Sequence, residues 1–252
     1  MPPPKTAATR MTVSPTRPST TEQPIRWQSA HAAPTLSDTD LHLWYIDTAD
    51  LTASDPGDLK LLSADERRRA DRFVLEPLRA NYARVHAATR SILALYLEIG
   101  PAKIAFRYSE TGKPSLATNS QDIEFNLTTV TDLAMLAVCR GRPLGIDCEQ
   151  VRPRGQLMGI ARRMFPADHA ASLSRLPDAE RLQAFYASWT ALEAEVKVDG
   201  RGLAGREHAA PPAVDVAHFI PAVGHIGAVA RHRLPPIERW RTLVLAGSYR
   251  CA

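Results

Sequence analysis

The run Leu41-His42-Leu43-Trp44-Tyr45-Ile46 alternates in polarity and carries aromatic side chains, a pattern that predicts a strand. Ser63-Ala64-Asp65-Glu66 follows, a serine with a glutamate three residues on, which is the signature of a capped helix start. The helical pattern continues to about Glu98, with Pro77 breaking it and Gly100-Pro101 ending it. Residues 103–108 and 123–127 read as short strands separated by the turn Ser109–Pro114. Leu133–Val138 is a continuous apolar run and predicts a buried strand, and Arg140–Pro143 turns the chain into another strand over Leu144–Val151. Helical spacing covers 156–164, 167–175 and 178–199, and His225–Ala230 and Thr242–Ala246 read as closing strands. The order strand, long helix, strands occurs twice without any sequence repeat. The pattern therefore predicts two α/β subdomains of similar build, 38–140 and 141–252.

Residues 1–37 show no such periodicity. Prolines at 2, 3, 4, 15, 18, 24 and 34 are mixed with Thr, Ser and Ala, which predicts a disordered tail. Without an apolar core segment the tail is not a secretory signal; a basic organelle leader is the weaker alternative. Composition changes little for the remaining body. The whole chain, 252 residues, 44% hydrophobic and 23% charged, suits a globular protein and excludes a coiled coil or collagen. The formal net charge is +4, but Lys5, Arg10, Arg17 and Arg26 against Glu22 place three of those charges in the first 34 residues. The body is thus nearly neutral, and its totals do not call for nucleic-acid binding. No segment is long and apolar enough to span a membrane. Cys139, Cys148 and Cys251 are too few for a disulfide framework, consistent with a reducing, cytoplasmic setting.

Two groups of residues carry candidate chemistry. Asp147 and Glu149 stand two apart on a predicted strand and so share a face, with Ile146 and Cys148 on the other. Paired carboxylates suit a hard divalent cation; the same pattern also describes a half-exposed strand with an acidic outer face. Trp189, Glu193 and Lys197 recur every fourth residue and share one helical face, ending at Gly200 and Gly202. Taken alone, Glu193 and Lys197 also make an ordinary surface ion pair worth about 0.3–0.5 kcal/mol.

Read together, the ordered set Phe125-Asn126-Leu127-Thr128, Gly145-Ile146-Asp147-Cys148-Glu149 and Trp189-x-x-x-Glu193-x-x-x-Lys197-x-x-Gly200-x-Gly202-Leu203 resembles the 4′-phosphopantetheinyl transferases. It is most similar to the monomeric, two-subdomain type that activates secondary-metabolite synthases. Gly112-Lys113-Pro114 matches that family's Gly-Lys-Pro turn, and Ser63 through Arg90 is similar to its first helical region. The resemblance implies an α+β fold made of a pseudo-twofold pair of similar α/β subdomains with the metal site at their interface. It implies a holo-[acyl-carrier-protein] synthase type of activity: transfer of 4′-phosphopantetheine from coenzyme A to a serine of an apo acyl or peptidyl carrier protein, releasing 3′,5′-ADP. The implied cofactor is Mg²⁺, held by Asp147, Glu149 and Glu193. Lys197 would contact the phosphates and aid the leaving group; Lys113, Thr128, Arg69 and Arg79 would bind the nucleotide. The basic run in which Arg69 lies reads equally as a solvated helix face. Arg152, Arg154, Arg162 and Arg163 suit either plain solvated surface or the steering of an acidic carrier.

The sequence departs from the family's pattern in three places. Thr128-Thr129-Val130 stands where Ser-His-Ser is usual, and Leu192 where a lysine precedes the motif glutamate; both changes thin the cationic clamp on the phosphates. His169 stands where a glutamate serves as general base, and histidine can take a serine proton near neutral pH; it also reads as a loop histidine without a partner. These departures motivate a second reading, a catalytically impaired paralogue acting as a carrier-protein binding module. An unrelated metal phosphoesterase that converged on three acids is a third.

Overall fold

The computed structural model describes residues 20–49, 51–202 and 213–246. The chain opens with strands β1 (Thr20–Pro24), β2 (Gln28–Ala30) and β3 (His42–Asp47). Helix α1 (Pro56–Leu61) and α2 (Ala64–Ala70) lead into α3 (Glu76–Leu97). A small hairpin of β4 (Phe106–Tyr108) and β5 (Pro114–Leu116) precedes the long strands β6 (Ile123–Thr129), β7 (Leu133–Arg140) and β8 (Leu144–Gln150). Helices α4 (Leu157–Met164), α5 (Ala167–Ser174) and α6 (Asp178–Asp199) follow, then β9 (Asp215–Ile220), β10 (His225–Arg231) and β11 (Arg241–Leu245).

The predicted repetition is visible in the topology. β3, α3 and the hairpin β6–β7 give a local strand order β3-β7-β6; β8, α6 and the hairpin β9–β10 give β8-β10-β9, again antiparallel throughout. The two long helices are each 22 residues. One apolar core lies between α3 and the first sheet, around Trp44, Ile92, Leu93 and Leu136. A second core joins the two units, with Leu41, Leu43, Met135, Ile146, Phe219 and Val229 packed together.

The strand termini correct the expected tail. β1 pairs in parallel with β9, and β2 in parallel with β11, so residues 20–37 belong to the folded body. The physical reason lies in two apolar side chains among the prolines. Ile25 and Trp27 pack against the second core, the indole of Trp27 donates to the Pro221 carbonyl at 2.9 Å, and its ring lies 5.2 Å from that of Tyr45. Residues 1–19, and Cys251, lie outside the described residues. A cut between 140 and 141 separates the repeated units but not the sheets. β11 completes the first sheet beside β3, and β1 completes the second beside β9, so each sheet borrows a strand from the far end of the chain.

The capped helix start forms as expected: Ser63 Oγ accepts from the Glu66 amide, and Glu66 Oε2 accepts from the Ser63 amide at 2.7 Å. Pro77 sits in the first turn of α3, where its missing N–H is tolerated, so it starts that helix after the break at 71–75. The Glu66 carboxylate has a second task that the pattern did not reveal. It accepts from Arg90 Nε at 2.8 Å, with both side chains 2% exposed, and Arg90 spends Nη1 on the Ile104 carbonyl at 2.7 Å. Burial pushes the Glu66 pKa up, but hydrogen bonds from His86, Arg90 and the Ser63 amide outweigh it and hold it at about 2.

Because that value lies below the ordinary 4.5, the pair's contribution is fully present above pH 4.5 and fades as the pH falls toward about 2. Glu66→Ala is expected to cost about 3–5 kcal/mol at neutral pH, since it strands a buried guanidinium. The gap between wild-type and variant midpoints, measured by denaturant unfolding across this pH range, should narrow on acidification; a constant gap contradicts the assignment.

Candidate functional site at the seam of the two sheets

β6 and β8 are edge strands of different sheets, and side chains rather than a backbone ladder join them. Asn126 Oδ1 accepts from the Ile146 amide at 2.9 Å. Thr128 Oγ1 accepts from the Cys148 amide and donates to Asp147 Oδ1, both at 3.2 Å. These two residues, two apart and so on the same side of β6, saturate an edge that would otherwise bury open amides.

Helix α6 crosses this seam at close range, and Gly145 is what permits it. A Cβ at that position would lie 1.9 Å from the Ala194 carbonyl oxygen and 3.0 Å from Lys197 Cβ. Backbone therefore meets backbone, which places Glu193 and Lys197 of α6 over Asp147 and Glu149 of β8. Lys197 Nζ donates to Asp147 Oδ1 at 2.7 Å and to the Ile146 carbonyl at 3.2 Å. Trp189 Nε1 donates to Glu149 Oε1 at 3.1 Å, and its ring stacks at 6.2 Å on Phe185. Asp147 Oδ2 is buried without a hydrogen-bond partner.

The electrostatics follow from this crowding. Burial raises the Asp147 pKa, opposed by the Lys197 ammonium and the Thr128 hydroxyl. Burial and the Asp147 charge raise Glu149, with the Trp189 indole opposing. Glu193 is raised by burial and by Asp147 and Glu149, with Lys197 opposing. The Asp147 charge thus acts on both glutamates, that of Glu149 acts on Glu193, and one ammonium faces three carboxylates. Among the described residues, however, no group of three or more His, Cys, Asp or Glu side chains is placed to hold a metal ion. The donor set itself fits a hard cation: carboxylate oxygens only, one of them buried and unpartnered, with negative charge in excess.

The other expected site residues lie differently. Lys113 turns inward and donates to backbone carbonyls of β8 and α6. Thr128 is buried and its hydroxyl serves the seam. Arg69 is exposed, with its guanidinium 5.3 Å from the centre of the Tyr108 ring. Arg79 pairs with Asp71 at 3.0 Å and Glu76 at 3.6 Å, at the start of α3. His169 is exposed on α5, its Nε2 in a 2.8 Å hydrogen bond with Ser188 Oγ of α6, directly before Trp189. Leu192, in the place of the family's lysine, is buried. Thr129 is exposed at the end of β6, and Arg154 acts on Glu149 through its charge. Sequence reasoning missed the roles of Asn126, Trp189 and Gly145; all three stand inside the quoted motifs, but only the packing shows what they touch.

Residues 143–252 match the family model of the 4′-phosphopantetheinyl transferase superfamily. The chain is 36% identical over 176 residues to the 4′-phosphopantetheinyl transferase HetI of Nostoc sp. PCC 7120, covering 69% of this chain and 74% of that protein. It is 27% identical over 165 residues to a putative 4′-phosphopantetheinyl transferase, slr0495, of Synechocystis sp. PCC 6803, covering 65% and 67%. With the 4′-phosphopantetheinyl transferase Sfp of Bacillus subtilis strain 168 it shares 24% identity over 145 residues, 58% of this chain and 63% of that protein.

Gly145→Ala is expected to force α6 off β8 and to cost about 1–3 kcal/mol or more, as overpacking against rigid backbone does. Gly155→Ala is the control, since a Cβ there meets nothing within 4 Å. Urea midpoints that leave the two variants equal contradict the backbone contact.

Proposed function

Because the chain belongs to the 4′-phosphopantetheinyl transferase superfamily, we propose that it transfers 4′-phosphopantetheine from coenzyme A to a serine of an apo acyl or peptidyl carrier protein. The holo-[acyl-carrier-protein] synthase type is the finer assignment. In this reaction the serine Oγ attacks the pantetheine-bearing phosphorus of the coenzyme A pyrophosphate. The P–O bond to the nucleotide breaks, 3′,5′-ADP departs, and the serine proton passes to a base.

The observation that carries the reading is the facing of Asp147 and Glu149 by Glu193 and Lys197 across the Gly145 contact. Asp147, Glu149 and Glu193 would hold Mg²⁺, which supplies charge neutralisation on the departing diphosphate. Lys197 uses two of its three N–H donors on Asp147 and Ile146, leaving the third for a phosphate oxygen. His169 is assigned as the base; its bond to Ser188 fixes its ring against α6. Arg69 stands as the nucleotide-side cation, and Arg79 would join it on exchanging its acidic partners for phosphate. The division into subdomains 38–140 and 141–252 with the site between them, a monomeric state and a cytoplasmic location complete the proposal. None of the described helices is long and apolar enough to cross a membrane.

One set of observations favours a second reading, an impaired paralogue that binds carriers without modifying them. Thr129 and Leu192 remove two cationic contacts of the family, and the three acids are not gathered as a metal-holding group. Calorimetry separates the two: tight carrier binding without coenzyme A binding supports the module.

With coenzyme A and Mg²⁺, an apo carrier should gain the mass of one phosphopantetheine. Asp147→Ala should slow that gain at least about a hundredfold, or about 2.7 kcal/mol of transition-state stabilisation. Activity surviving the change would count against the site. His169→Ala should slow transfer by about 10²–10⁴-fold at saturating coenzyme A and carrier; an unchanged rate removes His169 from the reaction.

A further inference from the structure

The resemblance places Lys113 on the nucleotide, but its ammonium is already fully used. It donates to the carbonyl oxygens of Lys197 and Val198 at 2.6 Å each and of Leu144 at 3.2 Å. A lysine has three N–H donors and no more. Leu144 opens β8, and Lys197 and Val198 lie in the final turn of α6. That turn is where helix carbonyls lack intrahelical partners and where a positive charge is favoured by the helix dipole.

The rest of the turn is built around the same contact. The Lys113 amide donates to Ser109 Oγ at 3.0 Å, and Ser109 N donates back to the Lys113 carbonyl at 3.0 Å, which closes the loop. Thr111 Oγ1 donates to the Gly200 carbonyl. Gly200, with φ 73°, lies flat on the lysine stem, where a Cβ would come within 3.1 Å of Lys113 Cβ and Cδ. Burial lowers the Lys113 pKa, with Glu124 and Asp199 opposing.

We propose that Lys113 is a positioning residue: it fastens the end of α6 to the start of β8, sets Glu193 and Lys197 against Asp147 and Glu149, and does not touch the nucleotide. The effect on transfer rests on the transferase reading; the fastening itself does not.

The test uses the full chain and the variants Lys113→Met and Thr111→Val. Hydrogen exchange of the amides at 196–201 is read together with coenzyme A binding by calorimetry and the kcat of carrier modification. Lys113→Met should lower protection of those amides by at least about tenfold and lower kcat by a similar factor, while coenzyme A affinity stays within about twofold. Thr111→Val, which removes only the Gly200 contact, should loosen the same amides about threefold, and keeps the test open where Lys113→Met does not fold. Unchanged protection in the folded variants overturns the proposal, as does a tenfold or greater loss of coenzyme A affinity, the mark of a phosphate ligand. A wild-type chain that neither binds coenzyme A nor modifies a carrier overturns the transferase reading instead, and the exchange data still decide the fastening.

Discussion

The close approach of α6 to β8 is the constraint from which the site follows. Helices usually sit on sheets through a layer of side chains, but at Gly145 that layer is missing and the Ala194 carbonyl lies where a methyl group would be. A helix held that close delivers side chains from one turn directly onto the neighbouring strand. Lys197, one turn beyond Glu193, then reaches both the carboxylate of Asp147 and the carbonyl before it. A half-buried ion pair of this sort adds little net stability, because desolvation offsets much of the attraction. Its consequence is positional: the strand pair Asp147 and Glu149 and the helix pair Glu193 and Lys197 cannot drift apart without reopening a backbone contact.

The seam beneath that crossing is held by unlike devices that act on the same join. Asn126 and Thr128 cover the exposed amides of β8. His225 Nε2 meets Asp132 Oδ1 at 3.0 Å where the turns of the two hairpins approach. Arg231, 1% exposed, donates to the Asp40 carbonyl at 2.6 Å and to that of Arg233 at 3.0 Å. The exchange of β1 and β11 between sheets ties both ends of the described chain across the division. A cleft between two independently moving lobes would let the carboxylates separate; here that motion would break the buried bonds of Asn126 and Thr128 to β8.

Much of the fold was legible because its elements announce themselves locally. The periodicity of 76–97 and 178–199, the apolar run at 133–138 and the capped start at Ser63 need only neighbours along the chain. β1 and β2 were not legible, because their pairing partners lie about two hundred residues away and their prolines mimic a linker; what holds them is two side chains, Ile25 and Trp27. β9 was missed for a related reason: Asp215–Ile220 is short and half-buried, and its strand character is conferred by β10. In the site, the alternation at 147 and 149 and the spacing of 189, 193 and 197 gave the correct faces. The direction of Lys113 was not legible. A lysine in an exposed-looking turn reads as a solvent-facing charge, and only the tertiary placement of the end of α6 turns it inward. Glu124, beside it, is half-buried with its carboxyl pKa raised by burial, which the Lys113 charge opposes.

The charge balance of the seam bears on what the departures from the family pattern do. Three carboxylates whose pKa values are raised, first by burial and for the two glutamates also by the Asp147 charge, face one lysine, and an oxygen of the most buried of the three has no partner. In a family site with a histidine and a further lysine, added cationic side chains share the neutralisation of the incoming phosphates. Here Thr129 is uncharged and Leu192 is buried, so that share falls on Lys197, the surface arginines and whatever cation the acids hold. On the transferase reading, the loss therefore shows first in the binding of the charged co-substrate rather than in the alignment of the acids, because neither Thr129 nor Leu192 takes part in the Gly145 contact that does the aligning. The same argument gives the impaired-paralogue reading its physical content: such a chain would keep the geometry of α6 on β8 intact and fail through too little positive charge around it.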